Sequence, residues 1–275
     1  MRKPRHLPED FVPLSTIGVF DSGIGGLSIL KEALSQSSGH HFLYLADSLY
    51  APYGEKSTQW VSERSLLLCS WLVQEGCDAV VVACNTATAQ AIALIRERFP
   101  DIPIIGVEPG VKPASMTSQQ KIVGVLATQN TLISDKFKVL LENLNANCEF
   151  IQQAGHGLVP LIEQGILDGP EIESLLHQYI DPMLAQGADT LVLGCTHYPF
   201  LRDAIFQLYG DRLQMIDTSV AVVRQLCRLI KDPESPQKGR VDVYSTQNGI
   251  VLLELAQKLL THPNIQDASA HTVSI

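Results

Sequence analysis

Two cysteines, Cys84 and Cys195, each end an apolar run and are followed at once by small polar residues. The first run reads Asp78-Ala-Val-Val-Val-Ala-Cys84-Asn85-Thr86, the second Asp189-Thr-Leu-Val-Leu-Gly-Cys195-Thr196-His197. An aliphatic run bounded by polar residues reads as a strand buried on both faces, so each thiol falls where its strand ends. Ligands of open α/β sheets bind at the carboxyl ends of the strands. Two matching cysteines about half a chain apart therefore suggest one site built from two related halves. Both precede predicted helices, whose free N–H groups favour thiolate.

Three kinds of chemistry use two thiols facing one cleft. A redox disulfide is one, but the cysteines sit on separate strands without Cys-x-x-Cys spacing. A metal site is another, with Cys195 and His197 as ligands, yet no second ligand cluster completes a tetrahedron. The third is proton transfer at a carbon from both faces, which inverts a stereocentre. One group removes a proton on one side while its counterpart delivers one on the other.

The neighbouring residues suit the third reading. Asn85-Thr86 and Thr196-His197 offer side-chain donors and helix-start N–H groups to a carboxylate. Asp21-Ser22 and Tyr53-Gly54 stand on loops that follow strands, and Asp21, Asp47 and His197 are candidate proton partners for the thiols. The segment Gly23-Ile24-Gly25-Gly26 departs from the dinucleotide fingerprint, with Gly26 at its fourth position and Ser28 at its last, so it is a weak phosphate cradle.

The elements that position these residues alternate strand and helix. Strands are expected at 16–20, 41–46, 79–83, 103–107, 122–126, 149–152, 190–193, 213–216, 241–245 and 268–273. Helices are expected at 27–35, 58–75, 86–99, 132–144, 158–165, 170–186, 200–208, from 219 to about 231, and at 250–260. Residues 1–15, with Pro4, Pro8 and Pro13, read as an extended arm. The pattern restarts midway: Ile122-Val-Gly-Val-Leu126 echoes Ile17-Gly-Val-Phe20, and Ala127-Thr128 falls where Asp21-Ser22 fell. The expectation is α/β, with two pseudo-symmetric lobes, each a mostly parallel sheet flanked by helices, and the active site in the cleft between them. The first lobe would hold residues 16–108 and 218–275, the second 109–217.

Composition narrows the class. With 275 residues, 45% of them hydrophobic, the chain can bury a large core. A net charge of −9 without a basic cluster argues against nucleic acid. The basic start leads into no apolar signal core, and no stretch matches a membrane span, which points to a cytoplasmic protein. Cys69, Cys77, Cys148 and Cys227 read as small buried hydrophobes, reduced in the cytosol. The histidines other than His197 read as surface or packing residues.

On these residues the chain strongly resembles the glutamate racemases of the cofactor-independent aspartate/glutamate racemase family, over roughly residues 16–225. The resemblance rests on VFDSGIGGL at 19–27, PYG at 52–54, VACNTA at 82–87, GVEP at 106–109 and LGCTHYP at 193–199. It implies interconversion of L- and D-glutamate without PLP, metal or nucleotide, the D isomer supplying peptidoglycan synthesis. Cys84 and Cys195 match the catalytic thiols, the first acting as base toward D-glutamate and the second toward L-glutamate. Asp21 and Asp47 match assistants on the first side, Glu163 and His197 on the second. Asp21-Ser22, Tyr53-Gly54, Asn85-Thr86 and Thr196-His197 match the substrate-binding pairs, with Thr128 and Thr131 matching positions that help hold the side-chain carboxylate. Many members carry Cys-Pro ahead of the assisting glutamate, whereas this chain reads Ala154-Gly155-His156-Gly157, with Pro160 and Glu163 keeping the frame. Some Gram-negative members with a long arm before the first strand answer to a cell-wall precursor, which makes a UDP-linked precursor a candidate activator here. Homodimers are common in the family. Two rival readings stand beside this one: an aspartate racemase, and a non-catalytic amino-acid-binding protein with two hinged lobes.

Overall fold

Uninterrupted aliphatic runs become parallel strands throughout. The protein is described by a computed structural model covering residues 15–37, 39–144, 148–230 and 239–275. Its strands are β1 (Thr16–Asp21), β2 (His41–Ala46), β3 (Ala79–Val82), β4 (Ile104–Gly106) and β5 (Ile122–Ala127), followed by β6 (Glu149–Ala154), β7 (Thr190–Gly194), β8 (Gln214–Ile216), β9 (Arg240–Ser245) and β10 (Ser269–Thr272). They form two sheets, ordered β10-β9-β2-β1-β3-β4 and β6-β5-β7-β8. Every pairing is parallel.

The duplication read in the sequence reappears as topology. Strand for strand, β2-β1-β3-β4 and β6-β5-β7-β8 repeat one order, so Cys84 after β3 and Cys195 after β7 occupy equivalent positions. Only the first sheet is extended, by β9 and β10 beyond β2.

Both faces of the sheets are covered, as parallel sheets require. In β1 the side chains alternate: Ile17 and Val19 pack into one core, Phe20 into another. The core holding Phe20 also takes Val80 and Val82 of β3 and Leu68 and Leu72 of the helix Thr58–Gln74. The core holding Val19 continues into the second half, through Leu126 of β5 and Leu191 and Leu193 of β7. A third core, with Val123, Val125 and Phe137, closes the far face of the second sheet. Each fully buried aliphatic side chain contributes about 1.5–3 kcal/mol, and a one-residue slip would exchange the faces, so the register is held firmly.

Helix boundaries follow the sequence expectation closely over most of the described residues, with departures that include the unexpected short helix Pro263–Gln266. The helix expected at 132–144 is broken into Gln129–Ile133 and Asp135–Glu142, because Ser134 turns extended and its hydroxyl caps Phe137 N–H. A helix at Val111–Thr117 was not anticipated. Pro113 lies in the first turn, where its missing N–H would have had no partner anyway. After Cys195 the chain forms a short 3₁₀ turn, Tyr198–Leu201, before the helix Arg202–Tyr209, so the expected helix start does not abut that thiol. The helix Ser219–Leu229 ends ahead of Lys231, which lies outside the described residues, as do residues 1–14 of the expected arm. Among the described residues, no helix is long and apolar enough to cross a membrane.

Candidate active site

The carboxyl ends of β1, β3 and β7 converge on one cavity that both Cys84 and Cys195 line. Ser22 follows β1, and Asn85 and Thr86 open the helix Asn85–Arg98, of which Cys84 is the N-cap. Thr196 and His197 follow Cys195, while Tyr53, Gly54 and Thr128 close the opposite wall. Pro52, of the PYG motif, and Val159, which the sequence did not single out, complete the lining. The cavity is small, about 10 Å³, which is room for roughly one water.

Four of the expected residues stand behind this lining rather than in it. Asp21 is fully buried; its Oδ2 accepts from Gly26 N–H at 2.9 Å, and its Oδ1 has no N–H or O–H donor among the described residues. Asp47, also fully buried, accepts from the Tyr53 hydroxyl and from Arg64, whose guanidinium reaches both carboxylate oxygens at 2.6 and 2.8 Å. Its own N–H donates to the Asp21 carbonyl at 3.0 Å. Thr131 bonds Thr128 at 2.9 Å, and Thr128 in turn bonds Thr86 at 2.9 Å. Glu163 reaches the site through His197.

The surroundings of the two thiols differ in sign. On the second side, His197 Nδ1 lies 3.7 Å from Cys195 Sγ, and its Nε2 pairs with Glu163 Oε1 at 2.5 Å. Burial alone would lower the imidazolium's pKa, but the bonds to Cys195 and Glu163 outweigh it and hold His197 well above its ordinary value. The second side therefore favours positive charge beside Cys195. On the first side the neighbour is an anion or a neutral acid. Burial, and after it the Asp21 carboxylate, push the Cys84 thiol well above its ordinary value. Burial likewise raises Asp21, partly offset by His197. The thiolate-favouring helix start expected at Cys84 is present, since a backbone bond near Ala87 acts in that direction, but burial outweighs it.

Glycines let the halves meet this closely. A Cβ at Gly23 would stand 1.8 Å from Glu163 Oε1, and one at Gly25 would stand 2.3 Å from His197 Nδ1. Glu163 Oε1 also accepts from Ile24 N–H at 2.8 Å, so one carboxylate ties the loop after β1 to the second half. Ser28 Oγ makes a parallel tie to the Thr196 carbonyl at 2.9 Å. The glycines that make a poor nucleotide fingerprint are thus explained by packing. Arg64, Ser28 and Asn130, whose amide bonds the backbone of Tyr53 and Lys56, were missed in the sequence. A signal existed only for Arg64, a lone cation at helical spacing among Val61, Ser65 and Leu68.

Such a cavity can remove and return a proton at one carbon from two directions, with donors at its rim for a carboxylate and Asn85 Oδ1, which has no partner among the described residues, for an ammonium group. Comparison with known proteins agrees in kind. The family model for Asp/Glu/hydantoin racemases matches residues 22–226. A glutamate racemase of Cupriavidus pinatubonensis is 52% identical over 263 residues, covering 94% of this chain and 95% of that one. Among solved structures, Escherichia coli glutamate racemase in complex with L-glutamate and activator UDP-MurNAc-ala has a TM-score of 0.82 at 28% identity, covering 95% of this chain and 99% of its own. Glutamate racemase from Francisella tularensis in complex with D-glutamate has a TM-score of 0.78 at 27% identity, with coverage of 95% and 97%. The chain belongs to the Asp/Glu/hydantoin racemase family.

Proposed function

We propose that this chain is a glutamate racemase that interconverts L- and D-glutamate by two-base proton transfer between Cys84 and Cys195. The observation that carries the reading is the pair of thiols at equivalent strand ends lining one cavity. In the L-to-D direction Cys195, as thiolate, takes the α-proton, and the Cys84 thiol delivers a proton to the opposite face. The reverse direction exchanges these roles. His197 steadies the charge on Cys195, with Glu163 holding the imidazolium; Asp21 assists Cys84, and Asp47 acts from behind through Tyr53. Free N–H groups at the start of the helix Asn85–Arg98 face the α-carboxylate, where negative charge grows as the carbanion forms. Thr86, Thr196 and the Thr128–Thr131 pair supply hydroxyls to the two carboxylates, with Ser22 and Gly54 beside them.

A chiral assay of the purified protein on L-glutamate and, in parallel, L-aspartate, without added cofactor, tests this. Appearance of D-glutamate supports the reading; turnover of aspartate alone makes the chain an aspartate racemase. No turnover of either, with thiols that alkylate equally fast with and without D-glutamate, leaves the two-lobed binding protein.

The remaining proposals concern setting. The lobes are taken as residues 16–108 with 218–275, and 109–217, on the strength of sheet membership. The Escherichia coli relative was solved with an activator, UDP-MurNAc-ala, which supports a UDP-linked cell-wall precursor as activator here; unchanged turnover over a wide range of added precursor would count against it. Supply of D-glutamate to peptidoglycan synthesis in the cytoplasm, by a homodimer, completes the reading. Light scattering of the purified protein tests the dimer.

A further inference from the structure

The cavity between the thiols is narrow, and the residues that narrow it are identifiable. A second cavity, of about 30 Å³, adjoins the first and is walled on its far side by the exposed Glu55, Gln129 and His156. Pro52, Gly54, Thr128 and Val159 line both cavities and so form the partition between them. Within it Gly54 abuts Thr128: a Cβ at Gly54 would stand 2.9 Å from Thr128 Cβ. A space of about 10 Å³ does not admit an amino acid. Parting of Gly54 and Thr128 would join the two spaces and make room beside the thiols.

One side chain fastens this seam from outside the cavity. Asn130 Nδ2 donates to the Tyr53 carbonyl at 3.1 Å and to the Lys56 carbonyl at 2.7 Å. Both amide hydrogens are thereby used on the two ends of the 3₁₀ turn Tyr53–Glu55. That turn belongs to the first half of the chain, and Asn130 to the second, two residues after the helix cap Thr128. Gln90 Nε2, bonded to the Asn130 carbonyl at 3.4 Å, steadies it from the helix Asn85–Arg98. Asn130 lines neither cavity, so its contribution runs entirely through the turn it holds.

We propose that Asn130 is a positioning residue, a latch whose side-chain amide holds the Tyr53–Glu55 turn and Gly54 against Thr128, and whose release admits glutamate and discharges product. The latch holds the narrow, ligand-free cavity and so governs access to the thiols, leaving the chemistry at Cα alone. It rests on the reading of this chain as a glutamate racemase.

Asn130→Asp is the sharpest perturbation, because the carboxylate keeps the shape of the amide but cannot donate to either carbonyl. Asn130→Ala removes the group altogether. Loss of two such bonds weakens the narrow, substrate-excluding state by roughly tenfold or more. Each variant should therefore lower KM for both enantiomers, by up to about tenfold, while kcat stays within about threefold of the parent or rises. Amide exchange at Lys56, whose N–H bonds the Tyr53 carbonyl at 3.1 Å, should quicken by a similar factor. A KM within twofold of the parent together with unchanged Lys56 exchange, in either variant, overturns the latch. So does a fall in kcat and thermal midpoint with KM unmoved, which is the mark of a merely structural side chain. Should the parent protein not act on glutamate, the functional reading fails separately, and the exchange at Lys56, which needs no substrate, still decides the latch.

Discussion

Replacing Glu163 by glutamine removes a charge while sparing the shape around it. The amide oxygen can still accept from Ile24 N–H, as Glu163 Oε1 does at 2.8 Å, and can still face His197 Nε2. What disappears is the anion that keeps the buried imidazolium charged. A hydrogen bond to a charged group is worth about 1.5–3 kcal/mol. At about 1.4 kcal/mol per factor of ten, Glu163→Gln should lower kcat/KM by about 10- to 150-fold. Racemisation has an equilibrium constant of one by symmetry, so kcat/KM must fall equally for L- and D-glutamate, whatever happens to kcat and KM singly. The pH profile carries the sign. With Glu163 present the His197 pKa lies above its ordinary value; without it Cys195 alone opposes burial, the imidazolium is lost at lower pH, and an alkaline limb that follows His197 moves toward acid. Coupled assays of both enantiomers from pH 6 to 10 read both effects. Activity within twofold of the parent, with an unmoved alkaline limb, would falsify the placing of Glu163 in a Cys195–His197–Glu163 chain.

Other perturbations reach different parts of the molecule. Cys84→Ser and Cys195→Ser should each abolish racemisation to the limit of a chiral assay, while thermal midpoints stay near the parent's, since serine fits both sites. Arg64→Met leaves the fully buried Asp47 with Tyr53 as its remaining side-chain partner, and should cost about 3–5 kcal/mol in urea unfolding. Equal stability of that variant would mean the pair contributes nothing. Asp189 is raised by burial, but bonds from Ser118 Oγ and the N–H groups of Gln119 and Gln120 outweigh this and hold it below the ordinary carboxylate range. Its contribution is therefore complete above about pH 4 and lost as pH falls through the depressed value. Asp189→Asn should accordingly lose more stability at pH 6 than at pH 3, measured by urea midpoints.

Much of this site could be read before any coordinates, because its positions are local to strand ends. A run such as Ala79–Val82 announces a strand buried on both faces, and the residue after it is bound to stand at the sheet's edge. The restart at Ile122 carried the duplication, and with it the equivalence of Cys84 and Cys195. Strand order within a sheet was not legible, since nothing in an apolar run names its neighbour. Electrostatics were legible only in part. The helix start at Cys84 is local and visible in sequence, whereas the burial and the Asp21 carboxylate that override it come from long-range packing. The same holds for Asp47, which stands at a strand end as expected but spends its carboxylate on Arg64 and Tyr53. Glu163 was framed by Pro160 alone in the sequence; His197 and Ile24, from distant segments, hold its carboxylate in the fold.

The claim that two thiols serve one carbon from opposite sides meets its most direct test in D2O. L-glutamate followed at early conversion should yield D-glutamate bearing deuterium at Cα, because the proton delivered by Cys84 comes from exchanged solvent, while the unreacted L-glutamate keeps its original hydrogen. Deuterium entering the L-glutamate pool as fast as it enters the product would mean a single base working on one face, and would contradict the account.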